Sequence, residues 1–331
     1  MHSIVQSSNL DTKLLCSLYL ANHWWVFALA HSIWYNTTMR VGAFELSDPI
    51  PDLKGAHALA VLRPWVDVGS AGTMAMSWLE DHFGAEDLGE LVRPGNFFDF
   101  TRYRPTIYFK GGHRQMTIPN TVIRYAKREE GNDFLFLHIL EPHMLGEVYV
   151  DSVLRLLQMF NVERYCLLGG MYDMVPHTRP LLVTGGSLDT KAAHDLRRAN
   201  VQASNYEGPT TITYLVSQRA PELGIETMGL IVHLPHYSQL DDNYMGKVRL
   251  MEVLSLLYDV PIDKADIEKA ERQSKELSLE VDRELPLKSV ITQLESHYDA
   301  RTQREKEEEM PRLSPEIERF LQDIDRRFSE N

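Results

Sequence analysis

FLFLHIL (residues 134–140) and GLIVHL (229–234) decide how this chain is read. Each is a near-continuous apolar run of strand length, the pattern of a strand covered by helices on both faces. Around them, short apolar runs at 58–62, 106–110, 165–168 and 181–184 alternate with amphipathic stretches. The latter, at 71–82, 147–160, 187–199, 210–219 and 243–258, repeat apolar residues at intervals of three and four. This alternation predicts an α/β sandwich with a mostly parallel sheet.

The 331 residues carry 34 Lys+Arg against 47 Asp+Glu, a formal charge of −13, with 44% apolar and 24% charged residues. That composition excludes a wholly disordered or fibrous chain, and the length supplies ample core for one large domain or two moderate ones. The acidic excess argues against a nucleic-acid surface, which needs Lys and Arg to neutralise phosphates. Cys16 and Cys166 are too few for a disulfide framework or a four-cysteine zinc site, so a reducing, cytoplasmic setting is expected.

Charge divides the chain into three. Residues 1–38 carry only Asp11 and Lys13; 39–262 net −7; 263–331, with 13 basic and 19 acidic groups, net −6. The expected organisation is an N-terminal extension, an α/β/α domain over 39–262 and a charged helical region over 263–331. Residues 14–35 lack formal charge and are long enough to cross a bilayer. Asn22, His23 and His31 interrupt them, and no basic cluster sets an orientation. A secretory signal would need a basic start and a small-residue cleavage site. The reading adopted is a disordered or non-native extension before a natural start at Met39; a membrane anchor over 14–35 and a partner-binding segment are the alternatives.

Polar clusters follow the apolar runs: Trp65, Asp67 and Gly69; Glu141 and His143; Gly169, Gly170 and Tyr172; His236 and Tyr237. The carboxyl ends of parallel strands share one edge, where ligands sit in a crevice, so Asp67, Glu141, Arg179 and His236 are expected along one rim. The competing reading is that turns simply use such residues. In VPHTRP (175–180), Pro176 and Pro180 stiffen the loop that carries His177 and Arg179. Arg179 suits bidentate capture of a carboxylate or phosphate; the preferred reading pairs it with a buried acid such as Glu141 or Asp67, with His177 on backbone. NYEGPT (205–210) puts Tyr206 and Glu207 on a Gly-Pro turn that could line the same edge.

DVGSAGT (67–73) places Gly69 and Gly72 before a helix, like a phosphate cradle, but lacks the Gly-Lys-Ser/Thr ending; Ser70 or Thr73 could cap that helix instead. His138, Glu141, His143, His233 and His236 invite a metal reading. Strand residues three apart face opposite sides, however, and no HExxH is present, so His138 and His233 are read as hydrogen-bonded strand histidines. No Gly-x-Ser-x-Gly elbow occurs, and Cys166 reads as a small buried thiol. No catalytic residue, metal or cofactor is assigned.

LLGGMYDM (167–174), VPHTRP, NYEGPTTITYLV (205–216) and HLPHYSQ (233–239) resemble successive motifs of the proteasome assembly chaperone 2 family. RPWVDVGSAG (63–72), NFFDFTRYRP (96–105), LEPH (140–143) and LESHYD (294–299) follow the same order, so the resemblance spans roughly residues 40 to 300. It implies a phosphorylase/hydrolase-like three-layer α/β/α sandwich, a helical C-terminal part and homo-oligomers, with no established reaction. Some archaeal relatives are thought to dock on proteasome rings by a hydrophobic-Tyr-any ending; the Phe328–Asn331 ending lacks it.

Helices are expected at 263–279 and 287–309 on either side of Pro286, with Leu287, Val290, Ile291 and Leu294 as a packing stripe. Another is expected at 314–328, capped by Ser314, with Ile317, Phe320, Leu321 and Ile324 available to dock. The expectation is a non-enzymatic, assembly-chaperone-like scaffold that binds proteins and itself. The alternative is a small-molecule enzyme, nucleosidase/phosphorylase-like or an ATP-grasp-type ligase, holding an anion on Arg179 with Asp67, Glu141 or His177 as acid or base. The scaffold predicts Arg179 paired with protein carboxylates and buried; the enzyme predicts an open pocket of unpaired polar groups.

Overall fold

The computed structural model describes residues 38–187, 190–283 and 285–309. The readings of the 14–35 segment and of the 314–328 helix lie outside the described residues. In chain order the strands are β1 (Thr38–Val41), β2 (Phe44–Ser47), β3 (His57–Arg63), β4 (Glu86–Leu91), β5 (Thr106–Lys110) and β6 (His113–Thr117). They continue as β7 (Val122–Ala126), β8 (Phe134–Leu140), β9 (Arg164–Asp173), β10 (Val183–Gly185), β11 (Gln202–Ala203) and β12 (Glu226–Pro235). The helices are α1 (Ala71–Phe83), α2 (Gly146–Met159), α3 (Thr190–Arg198), α4 (Ile212–Arg219), α5 (Tyr244–Tyr258), α6 (Lys264–Arg283) and α7 (Leu285–Glu309).

Ten strands form one sheet in the order β1-β2-β4-β7-β8-β3-β9-β12-β10-β11. The longest parallel run is the centre, β8-β3-β9-β12, and β10-β11 is a second, short parallel pair. β1, β2, β4, β7 and β8 pair antiparallel, and β10 is antiparallel to β12, so the sheet is mixed and not mostly parallel. The cause is connection length: residues 127–133 between β7 and β8 are too short for a helical crossover, which forces an antiparallel return.

Alternation along the central strands feeds two cores. Ala58, Ala60 and Leu62 of β3 pack with Tyr149, Val153 and Leu157 of α2 and Ile212 and Val216 of α4. Leu59 and Val61 pack with Ala75 and Leu79 of α1, Leu196 of α3 and Leu250 and Leu254 of α5. A sheet flanked in this way buries its centre on both faces, which is why β3, β8 and β12 read as continuous apolar runs. β4 reads as EDLGEL and buries only Leu88 and Leu91, so pattern alone does not mark it as a strand.

The run at 106–110 is a strand, but not of the main sheet. Among the described residues it pairs only with β6, and every residue of this hairpin is exposed. At the C-terminus, α6 packs on α5, and Pro286 lies in the first turn of α7, where its missing N–H costs nothing. Ile291 and Leu294 are buried, whereas Val290 of the expected stripe faces outward.

Candidate functional site at the strand-end rim

The four central strands end side by side, so the chain following each reaches one edge of the sheet. Glu141 N donates to Arg63 O, Asp67 bridges to Gly170, and His236 N donates to Asp173 O. The stretches bearing Asp67, Glu141, His177, Arg179 and His236 therefore start from adjacent strand ends. Their side chains then part, each toward a different element.

Asp67 turns to the start of α1. Its carboxylate accepts from Gly72 N at 2.8 Å, from Thr73 N and from Thr73 Oγ1 at 2.5 Å, and burial raises its pKa. The helix N-terminus that resembled a phosphate cradle is thus filled by the chain's own anion. Ser70 does not cap that helix; its hydroxyl donates to Asp241 O. Gly69 has φ +61°, and a Cβ there would stand 2.6 Å from Asn243 Cβ, so the turn closes against the start of α5 and leaves no room for an anion.

Glu141 turns toward α4 in the other core. It accepts from Ile212 N at 3.0 and 3.3 Å, and burial raises its pKa. Arg179 meets neither Glu141 nor Asp67. Its Nε and Nη2 bind Asp299 Oδ1 and Oδ2, both at 2.9 Å, and Nη1 reaches Glu295 Oε1 at 3.3 Å; the side chain is paired but 33% exposed, not buried as the scaffold reading expects. The fork geometry raises the Arg179 pKa and lowers that of Asp299. His177 is buried, which lowers its pKa; its ring bonds Tyr237 Oη at 2.8 Å and Ser278 Oγ at 3.0 Å, not backbone. Thr178 Oγ1 donates to Glu295 and Tyr298 Oη to Pro180 O, so the stiff 175–180 loop is a latch that holds α6 and α7 on the rim. His236 is exposed and packs edge-on to Tyr172. Tyr206 and Glu207 stay on an exposed loop, with Tyr206 Oη bonded to Pro209 O, and neither bonds to the other candidates.

Latch partners Glu295 and Asp299 belong to the LESHYD motif, but nothing in the sequence says that residues 116 and 120 positions onward return to Arg179. A second arrangement was not read from the sequence. Asp173 Oδ2 bonds His233 Nδ1 at 2.7 Å, and His233 Nε2 bonds Thr184 Oγ1 at 2.8 Å, tying together β9, β12 and β10. The Asp173 pKa is lowered chiefly by that bond. His138 likewise bonds buried Glu80 of α1 at 2.7 Å, and Arg124 lies 3.1 Å from the same carboxylate. Cys166 is buried, and its thiol is pushed up to about 12. Among the described residues, no group of three His, Cys, Asp or Glu is placed to hold a metal ion, and no helix is long and apolar enough to cross a membrane.

The sequence profile of the PAC2 family matches residues 61–283. The chain belongs to the PAC2 family. Similar solved structures include a PAC2 family protein from Streptomyces avermitilis, 25% identical with a TM-score of 0.64 over 71% of this chain and 99% of that one. A Mycobacterium tuberculosis protein of unknown function is 25% identical, with a TM-score of 0.69 over 82% and 93%. A proteasome-assembly chaperone homologue from the same bacterium is 23% identical, with a TM-score of 0.63 over 71% and 99%. No curated protein matches the chain.

In this PAC2 chain, Arg179→Ala removes the fork from α7 while leaving both cores intact. The expected result is a nearly unchanged thermal midpoint with amide exchange about tenfold faster in 287–299, measured by hydrogen-exchange mass spectrometry. Unchanged exchange there would show that the latch does not hold the helix.

Proposed function

We propose that this PAC2 chain is a non-enzymatic, assembly-chaperone-like scaffold that binds protein partners and works as a homo-oligomer in the cytoplasm. The fold is read as a three-layer α/β/α sandwich of the phosphorylase/hydrolase-like kind over 39–262, with 263–331 as its helical appendage. One observation carries the reading: among the described residues, the β5–β6 hairpin stands outside both cores. Register puts Ile107, Phe109, Met116 and Arg114 on one face, the three apolar ones 52%, 74% and 59% exposed. A lone two-stranded hairpin is marginal in water, and its open edges and apolar face suit pairing with another polypeptide. The saturation of Asp67, Glu141, His177 and Arg179 by the chain's own groups supports the same reading, as does the likeness to a proteasome-assembly chaperone homologue in fold.

The test is affinity capture from the native host together with light scattering, with Ile107→Ser/Phe109→Ser as the comparison. A protein that co-purifies with the unaltered chain and is lost with the variant, at equal thermal midpoint, supports the proposal. Capture of the chain alone counts against a chaperone. An identical mass and identical capture in the variant would remove the hairpin from the account.

The second reading, a small-molecule enzyme, has the Asp173–His233–Thr184 chain in its favour, since an acid-oriented histidine beside a hydroxyl is a nucleophile-activating geometry. Thr184 is buried, however, and a structural tie between three strands needs the same bonds. A nucleoside and nucleotide thermal-shift panel separates the two; a large upward shift lost in folded Arg179→Ala would favour the enzyme.

A further inference from the structure

A cavity of about 440 Å³ lies between the β1–β2 turn, the chain following β4 and the outer face of α2. Arginines from all three segments line it: Arg40, Arg93 and Arg155. Among the described residues, no carboxylate lies within 4 Å of the Arg93 or Arg155 guanidinium. Arg40 meets Glu45, at 3.8 Å on an exposed surface, a contact of little strength. Asp151, the acid in the same wall, is already engaged by Arg219 at 2.5 Å. Three arginines lining one cavity on a protein with a net charge of −13, two of them without an ion pair among the described residues, make a local reversal of its field.

The walls are closely packed and hydrogen-bonded to one another. Gly42 has φ +58°, and a Cβ there would stand 2.7 Å from Ser152 Oγ, so the turn is pressed against α2. Ala43 N donates to that hydroxyl at 3.0 Å, and Val92 N donates to Ala43 O at 3.1 Å. The start of α2 borders the cavity at Leu145 and Val148, with no side-chain cap on its free N–H groups. Leu145 and Val148 are exposed apolar side chains, so the site joins a cationic side to an apolar one.

We propose that this cavity binds a small organic phosphate or diphosphate, its anionic group on Arg93 and Arg155 and its organic part against Leu145 and Val148. Two unpaired forks present more donors than one carboxylate can accept, and a phosphate accepts them in bidentate pairs. The volume is that of a metabolite site. The inference does not depend on the hairpin or on the chaperone reading.

Isothermal titration calorimetry of the full chain with inorganic pyrophosphate at 0.15 M NaCl tests it, with citrate as the carboxylate comparator. Saturable one-to-one binding is expected. It should weaken about tenfold or more in Arg155→Ala, be partly restored in Arg155→Lys and vanish in Arg93→Ala/Arg155→Ala. Arg114→Ala, on the hairpin, should bind as the unaltered chain does. All these side chains are exposed, so the variants should keep the parent's thermal midpoint. No saturable binding, equal binding in the double variant or tighter binding of citrate than of pyrophosphate would overturn the proposal.

Discussion

Asp266→Ala should lower stability by about 3–5 kcal/mol, read as a large drop in the urea midpoint at unchanged slope. Asp266 sits in the first turn of α6 and pairs with Lys247 of α5, their side chains only 7% and 8% exposed. Removing the acid leaves an ammonium in the seam between the two helices with no contacting carboxylate, little water and only the exposed Asp263 as a nearby opposite charge. Lys269 also loses its 3.3 Å contact with Asp266, although it remains in solvent reach. The opposite truncation should cost less. Lys247→Met leaves Asp266 with Lys269 still beside it, and methionine fills the space of the lysine stem. Lys247→Met/Asp266→Leu should recover most of the loss, because an apolar pair of similar volume avoids the desolvation of two charges. Because α6 also supplies Ser278 to the latch, Asp266→Ala should speed exchange in the 175–180 loop as well. A loss below about 1 kcal/mol would mean that the pair behaves as a solvated surface contact.

Acid should destabilise the protein through His57. This histidine opens β3, lies buried edge-on against Tyr258 at 5.5 Å, and has no hydrogen-bond partner for Nδ1. Burial first, and then the nearby Arg164, lower its pKa from 6.5 to about 4. Between those values the unfolded chain binds the proton and the folded chain does not. Stability is therefore complete above about pH 6.5 and falls as the pH drops toward 4, by about 1.4 kcal/mol per unit at most and about 3 kcal/mol in total. His57→Gln removes the titrating group but keeps the backbone bond from residue 57 to Asp133 O. Carboxylates held low by their partners, such as Asp173, lose stability in the same direction in both proteins. The difference between parent and variant in denaturant midpoints from pH 7 to 4 isolates His57, and identical pH profiles would sink the assignment.

Much of the fold can be read along the chain because burial on both faces leaves a local signature. FLFLHIL and GLIVHL lie in strands, and each of the five amphipathic stretches after residue 70 overlaps a helix. β4 and β7 carry no such signature; a strand that buries one or two side chains and exposes charges between them is indistinguishable from loop until its partner is in place. The 106–110 run shows the converse. Its composition is that of a strand, but whether a strand joins the main sheet depends on what lies beside it in space.

The candidate site divides in the same way. Prolines around His177 and Arg179 marked a stiff loop, and the strand-end positions of Asp67 and Glu141 followed from the order of the elements. What each charge does was settled by distance in space: Asp67 closes on α1, Glu141 on α4, and Arg179 on acids far along the chain. Local hydrophobic pattern and backbone chemistry are properties of neighbouring residues, so the sequence alone established the alternation, the stiff loop and the charged C-terminal region. Ion pairs, sheet direction at the flanks, the arginine cavity and the separation of the hairpin from the main sheet depend on which distant segments meet. Only the packed chain could decide them.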